Sequence, residues 1–194
     1  MNAKQRFMTT IRGFTILELM IVLVISAIGV ALAVPTYQGV MQRRETTAQA
    51  EGLAAFVAFA QGEAIKNNRL ISVHLTYTDE KNWCFGAIEG NAPCDCEETT
   101  TTEADYCSLN GVEKIFRSPE NTRSRMTIPS ADRTLVFDPV RGTMTAAGLD
   151  TDHNVRLVSD DDKWFLRVDV EVTGRITVCS PVAAKAVPGF KPCI

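Results

Sequence analysis

A single carboxylate, Glu18, sits inside the run Ile16 to Val34, ILELMIVLVISAIGVALAV, where every other residue but Ser26 is apolar or small. A carboxylate in a membrane-length apolar helix is costly and marks a function by default. The chain also carries six cysteines in 194 residues. That is many for a cytosolic protein and few for a disulfide-dense miniprotein, so they read as disulfides formed outside the cytoplasm beside a real core. Cys84, Cys94, Cys96 and Cys107 allow three pairings. A bridge from Cys94 to Cys96 across one residue has poor geometry. The reading is two disulfides stapling the loop Asn82–Leu109, with the pairing open. A metal site on Cys94-x-Cys96 is the alternative, but zinc wants more closely grouped Cys and His ligands, and neither histidine is near in sequence.

Asp150-x-Asp152-x-Asn154 and Asp160-Asp161-Asp162 have the acid density of a calcium loop. The first lacks the downstream bidentate Glu, and both read as acidic surface loops. His74 alternates with Val73 and Leu75 and is expected to face solvent. Glu98 to Thr102, ETTTT, reads as a solvated loop. There is no G-x-S-x-G, no H-E-x-x-H and no phosphate loop. Nothing pairs Cys84 or His153 with a catalytic partner. The chain is therefore not expected to be an enzyme, and no cofactor or metal is expected.

These groups need elements to hold them. From Phe14 to Val34 a helix rising ~1.5 Å per residue spans about 31 Å, close to a bilayer's hydrocarbon thickness. Lys4, Arg6 and Arg12 precede it with no acid, which puts the N-terminus in the cytoplasm and the remainder outside. A secretory signal peptide is shorter and ends at a small-x-small cleavage site. Here the apolar stretch runs into Pro35 and a helical pattern instead. Leu53, Phe56, Val57, Ala60 and Ala64 form one apolar stripe, and Phe56 and Phe59 are expected in the core. Asn67-Asn68 closes the helix. Pro35 should kink or loosen it.

Beyond it lie strand patterns at Leu70–Tyr77, Trp83–Ile88, Thr134–Phe137, Thr143–Ala146, Val155–Val158, Trp164–Val170 and Arg175–Cys179. Asp138 to Gly142 reads as a hairpin turn. The expected class is α+β: one long N-terminal helix on an antiparallel sheet or small sandwich. The formal charge of −3 falls to about −6 without the first thirteen residues, so polyanion binding needs a local basic patch.

The run RGFTILELMIVLVISAIGVALAVP, from Arg12 to Pro35, resembles the signature of type IV prepilins and pseudopilins. The resemblance implies the type IV pilin fold, cleavage by a prepilin peptidase between Gly13 and Phe14, and methylation of the new Phe14 amine. Gly13 lets the scissile backbone approach a protease closely. Glu18 would face the Phe14 ammonium of a neighbouring subunit, where each charge offsets the other's desolvation. The expected organisation is a leader at 1–13, a membrane and filament-core helix at 14–35, an amphipathic half at 36–68, and a β-rich head at 69–194.

Three further runs resemble landmarks of the GspH/FimT group of minor pilins: AQGEAIKNNRLISVHL, LVFDPVRGTMT and VTGRITVC. This resemblance implies a Cys179–Cys193 disulfide closing the C-terminal tail. It implies a structural minor subunit of a type IV pilus, or alternatively a minor pseudopilin of a type II secretion system. Implied partners are other major and minor pilins, the prepilin peptidase, an inner-membrane assembly platform, and membrane lipid before assembly. The implied location is the bacterial inner membrane, single-pass with the head in the periplasm, and later the pilus or pseudopilus. A second alternative is DNA capture, since some FimT-like pilins read DNA with Gly-Arg-x-Arg. Here Gly174-Arg175-Ile176-Thr177 lacks the second Arg, leaving Arg175, Lys185 and Lys191, with Arg141 in the hairpin as the first candidate to compensate. The stretch Asn82 to Arg125 matches no landmark.

Overall fold

The computed structural model describes residues 13–128, 134–145, 153–181 and 185–193. One helix, α1, runs from Ile16 to Asn67. Thr15 caps its start, its Oγ1 accepting from the Glu18 backbone N–H at 3.2 Å. The end is a Schellman arrangement: Asn68 takes a positive φ of 50°, Asn68 N–H donates to Ile65 O, and Arg69 N–H donates to Ala64 O. The helix passes Pro35 without a break in its assignment.

Contacts divide the chain into two compact units, residues 1–40 and 41–194. In the first, every side chain described from Phe14 to Leu32 is exposed. This stretch is long and apolar enough to cross a membrane by length and composition.

The second unit holds a four-stranded and a five-stranded sheet with a small hairpin. The first sheet has the order β5-β2-β1-β7, from β1 (Ile71–Tyr77), β2 (Trp83–Glu89), β5 (Ile115–Arg117) and β7 (Thr134–Phe137). The second has the order β11-β10-β9-β8-β6, from β6 (Ser124–Thr127), β8 (His153–Ser159), β9 (Phe165–Val170), β10 (Ile176–Ser180) and β11 (Lys191–Pro192). All pairs are antiparallel except β10 with β11. The hairpin joins β3 (Ser108–Leu109) to β4 (Val112–Glu113). Its Asn110-Gly111 turn has positive φ at both residues, as the twist of a two-residue hairpin demands.

The inner faces bury Ala50, Leu53, Val57, Ala60 and Ala64 of the helix in one cluster with Ile71, Val73, Phe85, Phe137, Leu157, Leu166 and Val168. The helical 3.6 period and the strand 2.0 period therefore aim at one core. Higher on the helix the contact turns polar. Gln49 donates to Thr122 Oγ1 at 2.6 Å and accepts from Ser124, while Glu45 accepts from Thr122 Oγ1 and Arg123 N–H.

Three expectations change. Phe59 is 41% exposed rather than core, its ring lying under the Lys114 ammonium at 5.6 Å, because it falls on the helix face away from the stripe. Phe56 is partly buried and stacks on Phe116. His74 is 8% exposed rather than solvent-facing. It does alternate off the core face, but the stapled loop covers that outer face. Thr143–Ala146 forms only an isolated bridge, Met144 to Phe137, over its described part. Of the calcium pattern, Asp150 and Asp152 lie outside the described residues.

Candidate functional site

Gly13, Phe14 and Thr15 precede the helix, and Glu18 lies in its first turn. A Cβ built on Gly13 meets nothing within 4 Å, so the Gly13–Phe14 bond is open to approach. Glu18 is the third helical residue after the Thr15 cap. Its carboxylate therefore sits where the unpaired N–H groups of the first turn favour negative charge. The T-x-x-E pattern was readable in the sequence as a capping signal, and it supplies a local role for Thr15 that the apolar run obscures.

The three family landmarks meet at one point in the head. Gln61, on the helix, donates to Gly142 O at 2.7 Å and to Gly174 O at 2.8 Å. Gly142 ends the hairpin turn in which Asp138 Oδ1 accepts from the N–H groups of Val140 and Arg141. Gly174 precedes β10 at φ 83°, and a Cβ on it would lie 2.2 Å from Gly142 O. Backbone thus touches backbone, with one amide side chain satisfying both carbonyls. Arg141 and Arg175 flank this contact.

The structure pairs Cys84 with Cys96, Cys94 with Cys107, and Cys179 with Cys193, leaving no free cysteine. The first two pin the loop between β2 and β3 onto the outer face of the four-stranded sheet. Gly86, opposite His74 in the register, makes room: a Cβ there would come 2.1 Å from Cys107 Sγ. Beside it, His74 is held by Ser72 Oγ at 2.9 Å and Thr134 Oγ1 at 3.0 Å. Burial pushes the His74 pKa below its ordinary 6.5, against a smaller opposing contribution from a hydrogen bond with the Ala92 backbone. The unfolded chain therefore takes up the proton first. The stability that neutral His74 contributes is complete above about pH 6.5 and is lost as pH falls through the lowered folded value. The melting temperature is expected to drop as pH falls below about 6.5, and His74→Gln should flatten that slope; an unchanged slope would show that other groups control it.

The basic residues of the C-terminal region separate. Arg175 and Lys191 line one shallow depression on the five-stranded sheet with Arg167, Thr177, Asp169 and Glu171. Arg167 Nε lies 2.7 Å from Asp169 Oδ1, and Arg175 Nε lies 3.6 Å from Glu171 Oε1. Lys185 lies instead beside Asp162, at 3.9 Å. Asp160 and Asp162 also meet Lys81 and Arg125, so this acidic run is balanced by bases. Among the described residues, no three His, Cys, Asp or Glu converge as a metal-binding group.

A family model described as "Type II transport protein GspH" matches residues 49–174, well over half of the chain. A second, the "Prokaryotic N-terminal methylation motif", matches residues 8–34. No curated protein matches. Among solved structures, the type IV minor pilin FimU of Pseudomonas aeruginosa superposes with a TM-score of 0.50 at 17% identity, over 76% of this chain and 96% of that one. The minor pseudopilin EpsH from the Type 2 Secretion System of Vibrio cholerae gives 0.48 at 11% identity, over 72% of this chain and 99% of that one. With its methylation motif, its single long helix and its two-sheet head joined at the three landmarks, the chain belongs to the GspH family of type IV pilin-like minor pilins and pseudopilins.

Proposed function

We propose that this chain is a minor pilin, a structural and priming subunit of a type IV pilus. The observation that carries the reading is the exposed apolar helix of the first unit, with its one carboxylate, inside the matched methylation motif. An uncovered apolar stripe of this length needs lipid or other apolar helices as its surroundings. In this reading residues 1–13 are removed by a prepilin peptidase and Phe14 is methylated. Residues 14–35 wait in the inner membrane with the head in the periplasm, then join the filament core through an assembly platform, beside other major and minor pilins. Pro35 supplies local give in the helix, and Glu18 pairs with a neighbour's Phe14 ammonium.

The same parts serve a minor pseudopilin of a type II secretion system, the second reading, and the matching family model spans both kinds of subunit. DNA capture is the third. The Gly142–Gly174 contact brings the turn that carries Arg141 against the turn that carries Arg175, but Asp169 and Glu171 interrupt the basic residues. Phosphate contacts dominate DNA affinity and each neutralised phosphate adds about 0.9 to the salt slope, so weak binding that vanishes near ~150 mM salt is expected.

The processing step is tested by N-terminal mass spectrometry of membrane and pilus fractions. The expected product begins at methylated Phe14. An intact Met1 terminus, or cleavage beyond the apolar stretch, would overturn the reading.

A further inference from the structure

Two surfaces of the head carry charged side chains with no ion-pair partner among the described residues. The first is the outer face of the five-stranded sheet. Register places Arg156 opposite Arg167, Arg167 opposite Cys179, and Cys179 opposite Lys191, so one cross-strand row carries three bases. Like charges directly opposite each other are unfavourable unless an anion or a carboxylate relieves them. Arg167 has Asp169. Arg156 has no ion-pair partner among the described residues, and its Nε is shielded from solvent with no hydrogen bond. Lys191 is exposed on the two-residue edge strand, likewise without an ion-pair partner among the described residues. At ~4.8 Å per strand the two unpaired cations stand about 14 Å apart. In the next row Asn154 Oδ1, facing Asp169, is also buried without a partner.

The second surface is the stapled loop. Between Lys81 and Lys114 the sequence holds no base, while Asp95, Glu97, Glu98, Glu103 and Asp105 crowd into it. Asp95 and Glu98 serve the loop's own turns, accepting from Glu97 N–H and Thr100 N–H. Glu103 and Asp105 are exposed, and their carboxylates have no partner among the described residues. Two disulfides and the hydrogen bond from Asp95 N–H to Asp105 O hold this acidic tip in one shape. Little ordering entropy then opposes its docking.

We propose that the acidic tip of one copy docks on the basic sheet face of a second copy, with Glu103 and Asp105 meeting Arg156 and Lys191. The two surfaces are different patches, so the contact is heterologous: each copy keeps a free tip and a free face, and the contact propagates rather than closing a symmetric dimer. A polypeptide tip suits this face better than a nucleic acid. The row beside the bases carries Asp169, and Glu171 lies one row further on; both would repel a continuous phosphate backbone but can accept from peptide N–H groups. The proposal deepens the assembly reading by naming a head-to-head surface, yet its test needs neither processing nor a filament.

The full-length chain is purified in detergent micelles with a photo-crosslinking amino acid in place of Thr177, at the centre of the face. The expected crosslink joins it to peptide 95–105 of another copy and falls at least tenfold in 0.5 M salt. Lys191→Glu in one preparation, or Glu103→Lys in the other, should reduce the yield about tenfold. Mixing the two reversed variants should restore it between them. Lys191 and Glu103 are exposed, so neither reversal threatens the fold; Arg156→Glu is the stronger second variant. Absence of a crosslink, a crosslink to the apolar helix, or one insensitive to both reversals would overturn the proposal. So would displacement by a 30-nucleotide DNA strand whose binding depends on Lys191 but not Glu103, which would assign the face to phosphodiesters. Failure here with a methylated Phe14 terminus intact leaves the filament reading standing; the converse result separates them as cleanly.

Discussion

Glu18→Ala should leave the melting temperature of the head unchanged and lower incorporation into filaments by tenfold or more. The two effects separate because Glu18 acts only at the start of the helix, where its exposed carboxylate adds at most about 1 kcal/mol through the helix dipole. Its N–H donates to Thr15 Oγ1, and alanine keeps that N–H and the helix start. None of the core cluster touches it, since the cluster begins at Ala50. In an assembled apolar core the calculation is different. The Phe14 ammonium of the neighbour would lose its counter-charge, and an uncompensated buried charge costs about 3–5 kcal/mol. Glu18→Gln should fail nearly as badly, because it keeps the shape and removes the charge. The measurement is the ratio of variant to native subunit in sheared filaments at equal membrane abundance. Native-level incorporation would either remove the charge-pairing role or place the subunit at the tip, where no neighbour above needs the contact.

The second large effect is expected at Gly174, where an alanine should destabilise the head by about 2–5 kcal/mol. Two penalties combine: a non-glycine residue at φ 83°, and a Cβ placed 2.2 Å from the Gly142 carbonyl oxygen. The obstructing atom is backbone at the end of a turn braced by Asp138, so it cannot swing aside. For a unit of this size the melting temperature should fall by roughly 5–15 °C. Gln61→Ala should cost about 1–3 kcal/mol by leaving two carbonyls without their donor. The double variant should cost less than the two losses added, because both act on one contact. Thermal unfolding of the full-length protein in detergent measures all three. Additive losses would mean that the three landmarks do not act as a unit.

Long, strongly patterned segments were the legible part of the fold. α1 was expected from Phe14 to Lys66 and runs from Ile16 to Asn67, and β1, β2, β7, β8, β9 and β10 each overlap a strand pattern. The missed strands are β3, β4, β5, β6 and β11, of two to four residues. A period of two has no room to show itself over that length. Four of these strands, β3 to β6, lie in or begin in the unmatched stretch from Asn82 to Arg125. His74 went the other way: its periodicity is clear, but its burial depends on the distant segment laid over that face.

The sequence by itself determined the membrane-length helix, its lone carboxylate, the basic residues that precede it and the residues on either side of Gly13. Each of these is a property of neighbours along one chain, and a helix or an apolar run is decided by local spacing. Only the tertiary structure decided which cysteines pair, why Gly86, Gly142 and Gly174 have no side chain, and which bases share a surface. Cys84 reaches Cys96 and Cys94 reaches Cys107 because the loop lies flat on a sheet whose Gly86 leaves room for sulfur. Lys185 leaves the company of Arg175 and Lys191 because the tail carries it to Asp162. Strand register brings Arg156 and Arg167 face to face across a turn, and register is set by how two sheets close on one helix.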